Sequence, residues 1–183
     1  MARKYTIKTQ DKPYFVTFTV VEWVDIFTRD IYKDIFMESL IYCQKNKGLE
    51  VYAYCFMTNH IHLILGVKED LLLQDAIRDL KSFTSRHIRK AIEENHQESR
   101  KEWLLNIFKN VGNQNTRNKD FQFWIQDNHP IELNTNEKLF QKLNYIHQNP
   151  VEAGFVEKPE DWLWSSAGSY TETRQSPIEL IYI

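Results

Sequence analysis

The run Tyr54-Cys55-Phe56-Met57-Thr58-Asn59-His60-Ile61-His62-Leu63-Ile64-Leu65 sets two histidines one residue apart inside an apolar stretch. Side chains alternate along a strand, so His60 and His62 share one face while Ile61 and Leu63 take the other. Two imidazoles on one face can grip a metal ion; the alternative is a pair of half-buried strand histidines bonded to backbone or water. A second run, Leu143-Asn144-Tyr145-Ile146-His147-Gln148-Asn149-Pro150, holds a phenol and an amide four residues apart. On a continuing helix Tyr145 and Asn149 share a face. A phenol with a pKa of about 10 is a poor nucleophile at neutral pH unless its anion or its electrophile is stabilised. A metal held by His60, His62 and the Asn149 side-chain oxygen would polarise a phosphate while Tyr145 attacks it, which describes a phosphodiester-transfer site. Asn149 precedes Pro150, however, and the residue before proline is pushed out of the α region, so capping the helix is the competing role for Asn149.

These groups need elements to position them. Tyr14 to Val21 is β-branched and aromatic with alternation, and reads as a strand. Asp30 to Lys45 has helical apolar spacing and runs towards a stop at Gly48. Leu49 to Met57 and His60 to Val67 are two apolar runs separated by Thr58-Asn59, an antiparallel pair with a tight connection. Leu72 to Ile92 is a helix whose Arg78, Lys81, Arg86 and Arg89 gather on a polar face, either solvated or set to hold backbone phosphates. Glu93 to Lys119 is polar and reads as an inserted lobe or loop near 93–120. Phe121 to Gln126 is a strand candidate, Thr135 to His147 a short helix, and the β-prone tail Ile178 to Ile183 belongs to an extension near 160–183. The order β, α, β, β, α, β, α predicts a single α+β domain over 1–183, ferredoxin-like, with helices packed on one face of an antiparallel sheet and the histidines on a central strand.

Composition narrows the classes. The chain has 183 residues, 42% hydrophobic and 14% aromatic, enough for one packed core. A formal charge of −2 argues against coating nucleic acid by charge alone. No stretch approaches the about 20 apolar residues of a membrane span, and the first residues lack a signal-peptide core. Cys43 and Cys55 lack metal-type spacing and read as reduced core residues, so the expected location is cytoplasmic. Trp124, Trp162 and Trp164 are read as core in preference to base-stacking platforms.

The Met-x-Asn-His-Ile-His-Leu pattern at Met57 to Leu63 and the Tyr-Ile-x-x-Asn-Pro-Val-x-Ala-Gly pattern at Tyr145 to Gly154 together resemble the single-tyrosine HUH transposases, and within them the REP-associated branch. The likeness extends through Lys81 to Thr84, Gln122 to Trp124 and Asp161 to Ser166. It implies His60, His62 and Asn149 as ligands of a divalent metal, Mg2+ or Mn2+, with Tyr145 as the nucleophile that cuts single-stranded DNA beside a hairpin. Such chemistry leaves a 5′-phosphotyrosine and a 3′-hydroxyl and needs no nucleotide cofactor. Two other readings stay open at this stage: a domesticated hairpin-binding module without turnover, and a metal-dependent hydrolase that uses water in place of Tyr145. The resemblance also leaves monomer and homodimer open, because some relatives are dimers.

Overall fold

The computed structural model of the chain describes residues 6–114 and 120–183. Its elements are β1 (Tyr14–Thr19), α1 (Asp30–Lys47), β2 (Leu49–Phe56), β3 (His60–Val67), α2 (Leu73–Glu94), α3 (Lys101–Asn113), β4 (Ile131–Glu132), α4 (Asn136–Glu152) and the single-turn α5 (Ala167–Tyr170). The sheet runs β2-β3-β1-β4, every pair antiparallel. That order, with α1 after β1 and α2 after β3, is the expected ferredoxin-like arrangement.

Strand alternation divides the molecule into two cores. Val16 and Phe18 of β1, Ile61, Leu63 and Leu65 of β3, and Val51, Tyr54 and Phe56 of β2 meet the apolar stripes of α1 and α2. Phe15 of β1, Ile64 of β3, and Ala53 and Cys55 of β2 meet Leu143 and Ile146 of α4 on the other face. Two helices therefore lie on one face, as the sequence predicts, and α4 covers part of the opposite one. Gly48 ends α1 in the left-handed region, at φ 60°, with its N–H bonded to the Cys43 carbonyl.

Three sequence expectations change. The polar stretch after Glu93 carries the helix α3, whose Leu104, Phe108 and Gly112 are buried at a four-residue interval. Gly112 lies within this helix, and the Phe121 backbone crosses where a Cβ would sit, so only glycine fits there. Residues 115–119 of the expected lobe lie outside the described residues. The expected strand Phe121 to Gln126 makes only an isolated bridge between Trp124 and Val20, and the fourth strand is Ile131–Glu132 instead. Phe123 and Trp124 are both buried in the core beneath α1 and α2, so consecutive side chains here do not alternate between faces as they would on a strand. The C-terminal tail buries Ile178 and Leu180 and gives one backbone bond, from Ile181 N–H to the Val51 carbonyl, without forming a strand. Both cysteines are free and buried. No helix among the described residues is long and apolar enough to cross a membrane.

Candidate active site

The two-residue connection Thr58-Asn59 is closed by a bond from the Met57 N–H to the His60 carbonyl, which fixes the register of β3 against β2. With that register His60 and His62 leave the sheet on the α4 side, and their imidazole Nε2 atoms stand 3.1 Å apart. Each outer nitrogen has a partner. His60 Nδ1 faces the Asn59 side-chain oxygen at 2.7 Å, and the Asn59 amide in turn donates to Asp25 at 3.1 Å. This orientation of Asn59 presents an acceptor, so the His60 proton sits on Nδ1 and the Nε2 lone pair points into the site. His62 Nδ1 lies 2.9 Å from the hydroxyl of Thr17, its direct cross-strand partner on β1.

The third group arrives on α4. Thr135 caps the helix by accepting from the Lys138 N–H, and the helix then runs through Pro150 to Glu152. Pro150 lies within the last turn, where its missing N–H removes a single intrahelical bond. Tyr145 and Asn149 are consequently stacked on one face, with the Asn149 Nδ2 donating to the Tyr145 carbonyl at 3.2 Å. The Asn149 side chain lies on the His62 side of α4, where it opposes the lowering of the His62 pKa. The Tyr145 ring stands edge to face with His62, centroids 5.2 Å apart, and is 40% exposed. The chain thus sets its own tyrosine beside its own histidines.

Burial governs the electrostatics. It lowers the His60 pKa below the usual imidazole value, and it takes His62 down to about 3, with the neighbouring His60 and Lys142 charges acting in the same direction. Both rings are therefore neutral at physiological pH, which is the protonation state a metal ligand needs. The donor set fits a divalent ion. The two Nε2 atoms, 3.1 Å apart, are close enough to bind one ion together. Two imidazoles and one amide oxygen form a mixed set suited to manganese or magnesium together with water and phosphate oxygens.

Lys142 precedes Tyr145 by one turn. Its ammonium lies 4.7 Å above the Phe15 ring and 4.9 Å above the Tyr145 ring, and no carboxylate partners it among the described residues. Thr17, Asp25 and Lys142 are the residues that the sequence reading missed. Helical counting back from Tyr145 would have found Lys142, whereas Thr17 depends on a cross-strand register that no local signal carries. His147, two residues from Tyr145, points away. It is buried against Tyr170, with Nε2 2.9 Å from the Ser166 hydroxyl.

The basic residues of α2 are not brought to this place, because α2 packs on the opposite face of the sheet. Arg78 is paired with Asp75 and Asp79, and Arg89 with Glu93 while lying over the Phe121 ring. Lys81 donates to the Ile125 carbonyl and to the Asn128 side chain, and burial brings its pKa down to about 7. Arg78, Lys81 and Arg86 border one groove of 730 Å3 between α2 and the 121–130 segment. Trp124 is in the front core, Trp162 donates its indole N–H to the Phe56 carbonyl, and Trp164 is half-buried against Phe56.

Residues 10–118 match the family model described as IS200-like transposase. The matched span includes both histidines and stops before Tyr145 and Asn149. The fold resembles the solved structure of a REP-associated tyrosine transposase bound to a REP hairpin, with a TM-score of 0.68 and 15% identity, over 99% of this chain and 92% of that one. A protein from Deinococcus radiodurans R1 described as a transposase aligns over 81% of this chain and 95% of its own, at 19% identity and a TM-score of 0.46. No curated protein matches.

Proposed function

Since the chain belongs to the IS200-like transposase family, we propose that it is a metal-dependent single-stranded DNA endonuclease and strand transferase, with Tyr145 as its nucleophile. The observation that carries this reading is the meeting of Tyr145, Asn149, His60 and His62 on one face of one chain, with the Tyr145 ring edge to face with His62 and Asn149 bonded to the Tyr145 carbonyl. In the proposed reaction the Tyr145 hydroxyl oxygen attacks the phosphorus and the bond to the 3′-oxygen breaks. The phenolic proton ends on the released 3′-hydroxyl, and the 5′-phosphate stays on the tyrosine. One phosphodiester replaces another, so the step is reversible and a second 3′-hydroxyl can reseal the strand without an energy source. His60, His62 and Asn149 would hold Mg2+ or Mn2+, which when bound supplies Lewis-acid polarisation of the phosphate.

The remaining roles belong to side chains. Thr17 and the Asp25-Asn59 pair hold the imidazoles in one tautomer and orientation. Lys142, without a carboxylate of its own, is placed to neutralise a non-bridging phosphate oxygen beside Tyr145. Arg78, Lys81 and Arg86 would guide the DNA backbone along their groove, away from the chemistry, with Arg89 at its margin. The hairpin seen in the REP-associated structure makes a hairpin with a single-stranded flank the substrate to try first. Incubated with such an oligonucleotide and Mn2+, the wild-type protein is expected to form a covalent adduct resistant to denaturant, and Tyr145→Phe none. Equal adduct from both proteins would refute the nucleophile. Cleavage to a free 5′-phosphate without adduct would move the reading to hydrolysis by water, and binding without cleavage under either metal to a hairpin-binding module.

A further inference from the structure

We propose that Trp23 is a stacking platform for one unpaired nucleobase adjacent to the phosphate at His60 and His62, a base-positioning subsite that rests on the nucleic-acid part of the function proposed above. Trp23 closes the 3-10 turn Val21–Trp23 and is 60% exposed, although Val21 and Val24, which flank the exposed Glu22-Trp23 pair, are buried. Its ring centroid lies 5.9 Å from that of His60. The ring contacts then run on from His60 to His62 at 4.6 Å and from His62 to Tyr145 at 5.2 Å, so the exposed indole stands at the His60 end of a row that finishes at the nucleophile.

The backbone shows that this placement is imposed. Glu22 and Trp23 both adopt left-handed conformations, at φ 54° and 53°, which residues with side chains rarely take and which are retained where the surroundings hold them. Both flanks of the turn are pinned: Val20 N–H to the Asn59 carbonyl at 3.0 Å, Val21 N–H to the Phe123 carbonyl at 2.9 Å, and Phe27 N–H to the Thr58 carbonyl at 2.8 Å. Two of these bonds reach Thr58 and Asn59, the connection that also positions His60. The turn and the histidine strand are therefore one rigid unit, and a base on Trp23 would be held in register with the phosphate at the histidines. A large uncharged ring that is 60% exposed suits a π-surface, and an unpaired base offers one whatever its identity.

The test is a binding cycle in the Tyr145→Phe background, where no adduct forms, using a hairpin oligonucleotide with a single-stranded flank in Mg2+ and fluorescence anisotropy. Trp23→Ala should weaken binding by roughly ten- to hundredfold, and Trp23→Phe by much less, with the melting temperature of each unchanged. One abasic substitution scanned through the flank should cost a similar factor in the parent and almost nothing in Trp23→Ala. Equal affinity of Trp23→Ala and parent, abasic penalties that persist undiminished in Trp23→Ala, or no binding of the oligonucleotide at all would each overturn the proposal. Adduct formation by the Tyr145-containing protein is read separately. A coupled cycle without adduct leaves the stacking subsite standing and removes the nuclease reading, and adduct with an uncoupled cycle does the reverse.

Discussion

The two faces of one sheet make opposite use of the same strands. On the front, Phe18, Phe27, Phe36, Phe56 and Trp124 form a set of ring contacts under α1 and α2, whose one polar atom, the Trp124 indole nitrogen, donates to the buried Thr84 hydroxyl. On the back, the apolar patch of Phe15, Ala53, Cys55, Ile64, Leu143 and Ile146 is smaller, and at its end Thr17, His60, His62 and Asn149 replace hydrocarbon. The front is also locked by charge. Glu98, whose side chain is fully buried, accepts from Arg29 at 2.8 Å, from Arg100 at 3.1 Å and from the Tyr32 hydroxyl at 3.2 Å. A single residue of strand parity thus separates a face that supplies stability from a face that presents ligands, and stability on one side leaves the other free to carry polar groups half-paired.

If this division holds, damage to the back should remove chemistry and spare the fold, and damage to the front the reverse. The largest effect expected is that of His62→Ala. Adduct formation should fall by at least on the order of a hundredfold, with the melting temperature within a few degrees of the parent. A melting temperature that collapses with activity would mean the histidines are core residues.

Next comes Glu98→Gln on the front, expected to cost about 2–3 kcal/mol and roughly 5–10 °C in melting temperature, with activity below the transition unchanged. Burial alone would raise the Glu98 pKa, but the bonds and charges of Arg100 and Arg29 hold it below the ordinary carboxylate value of 4.5. The folded pKa is depressed, so the stability from this group is fully present above that value and is lost as pH falls through the lower folded one. The melting temperature of the parent should therefore drop more steeply with acid than that of Glu98→Gln; parallel curves would contradict the assignment.

The smallest effect sharpens the back. Asn59→Ala removes the partner of His60 Nδ1 and should raise the Mn2+ concentration for half-maximal adduct by roughly 10–100-fold. An unchanged metal requirement would show that the Asp25-Asn59 pair does not orient the ligand.

Much of the site was legible because its signals are local. The one-residue spacing of His60 and His62, the two-residue connection before them and the four-residue spacing of Tyr145 and Asn149 each follow from backbone periodicity. Asn149 looked doubtful only because Pro150 follows it, and the helix accepts that proline in its final turn. What escaped was non-local. Thr17 reaches His62 through strand register, Asp25 reaches His60 through Asn59, and β4 is a two-residue pairing with Tyr14 and Phe15 set by tertiary packing. α3 hid because only one residue in four along it is buried, and its glycine serves the passage of Phe121. The α2 arginines and Lys81 shared a helical face in sequence, but nothing local could tell that this face turns away from the histidines.

The central claim is that one side chain on α4 becomes bonded to DNA. It is tested most directly by forming the adduct with wild-type protein and Mn2+, digesting the DNA to its last nucleotide, and mapping the modified peptide by mass spectrometry. The account predicts a nucleotide 5′-phosphate on Tyr145 within the peptide spanning α4. A nucleotide on any other residue, or cleaved DNA with no modified peptide, would contradict it.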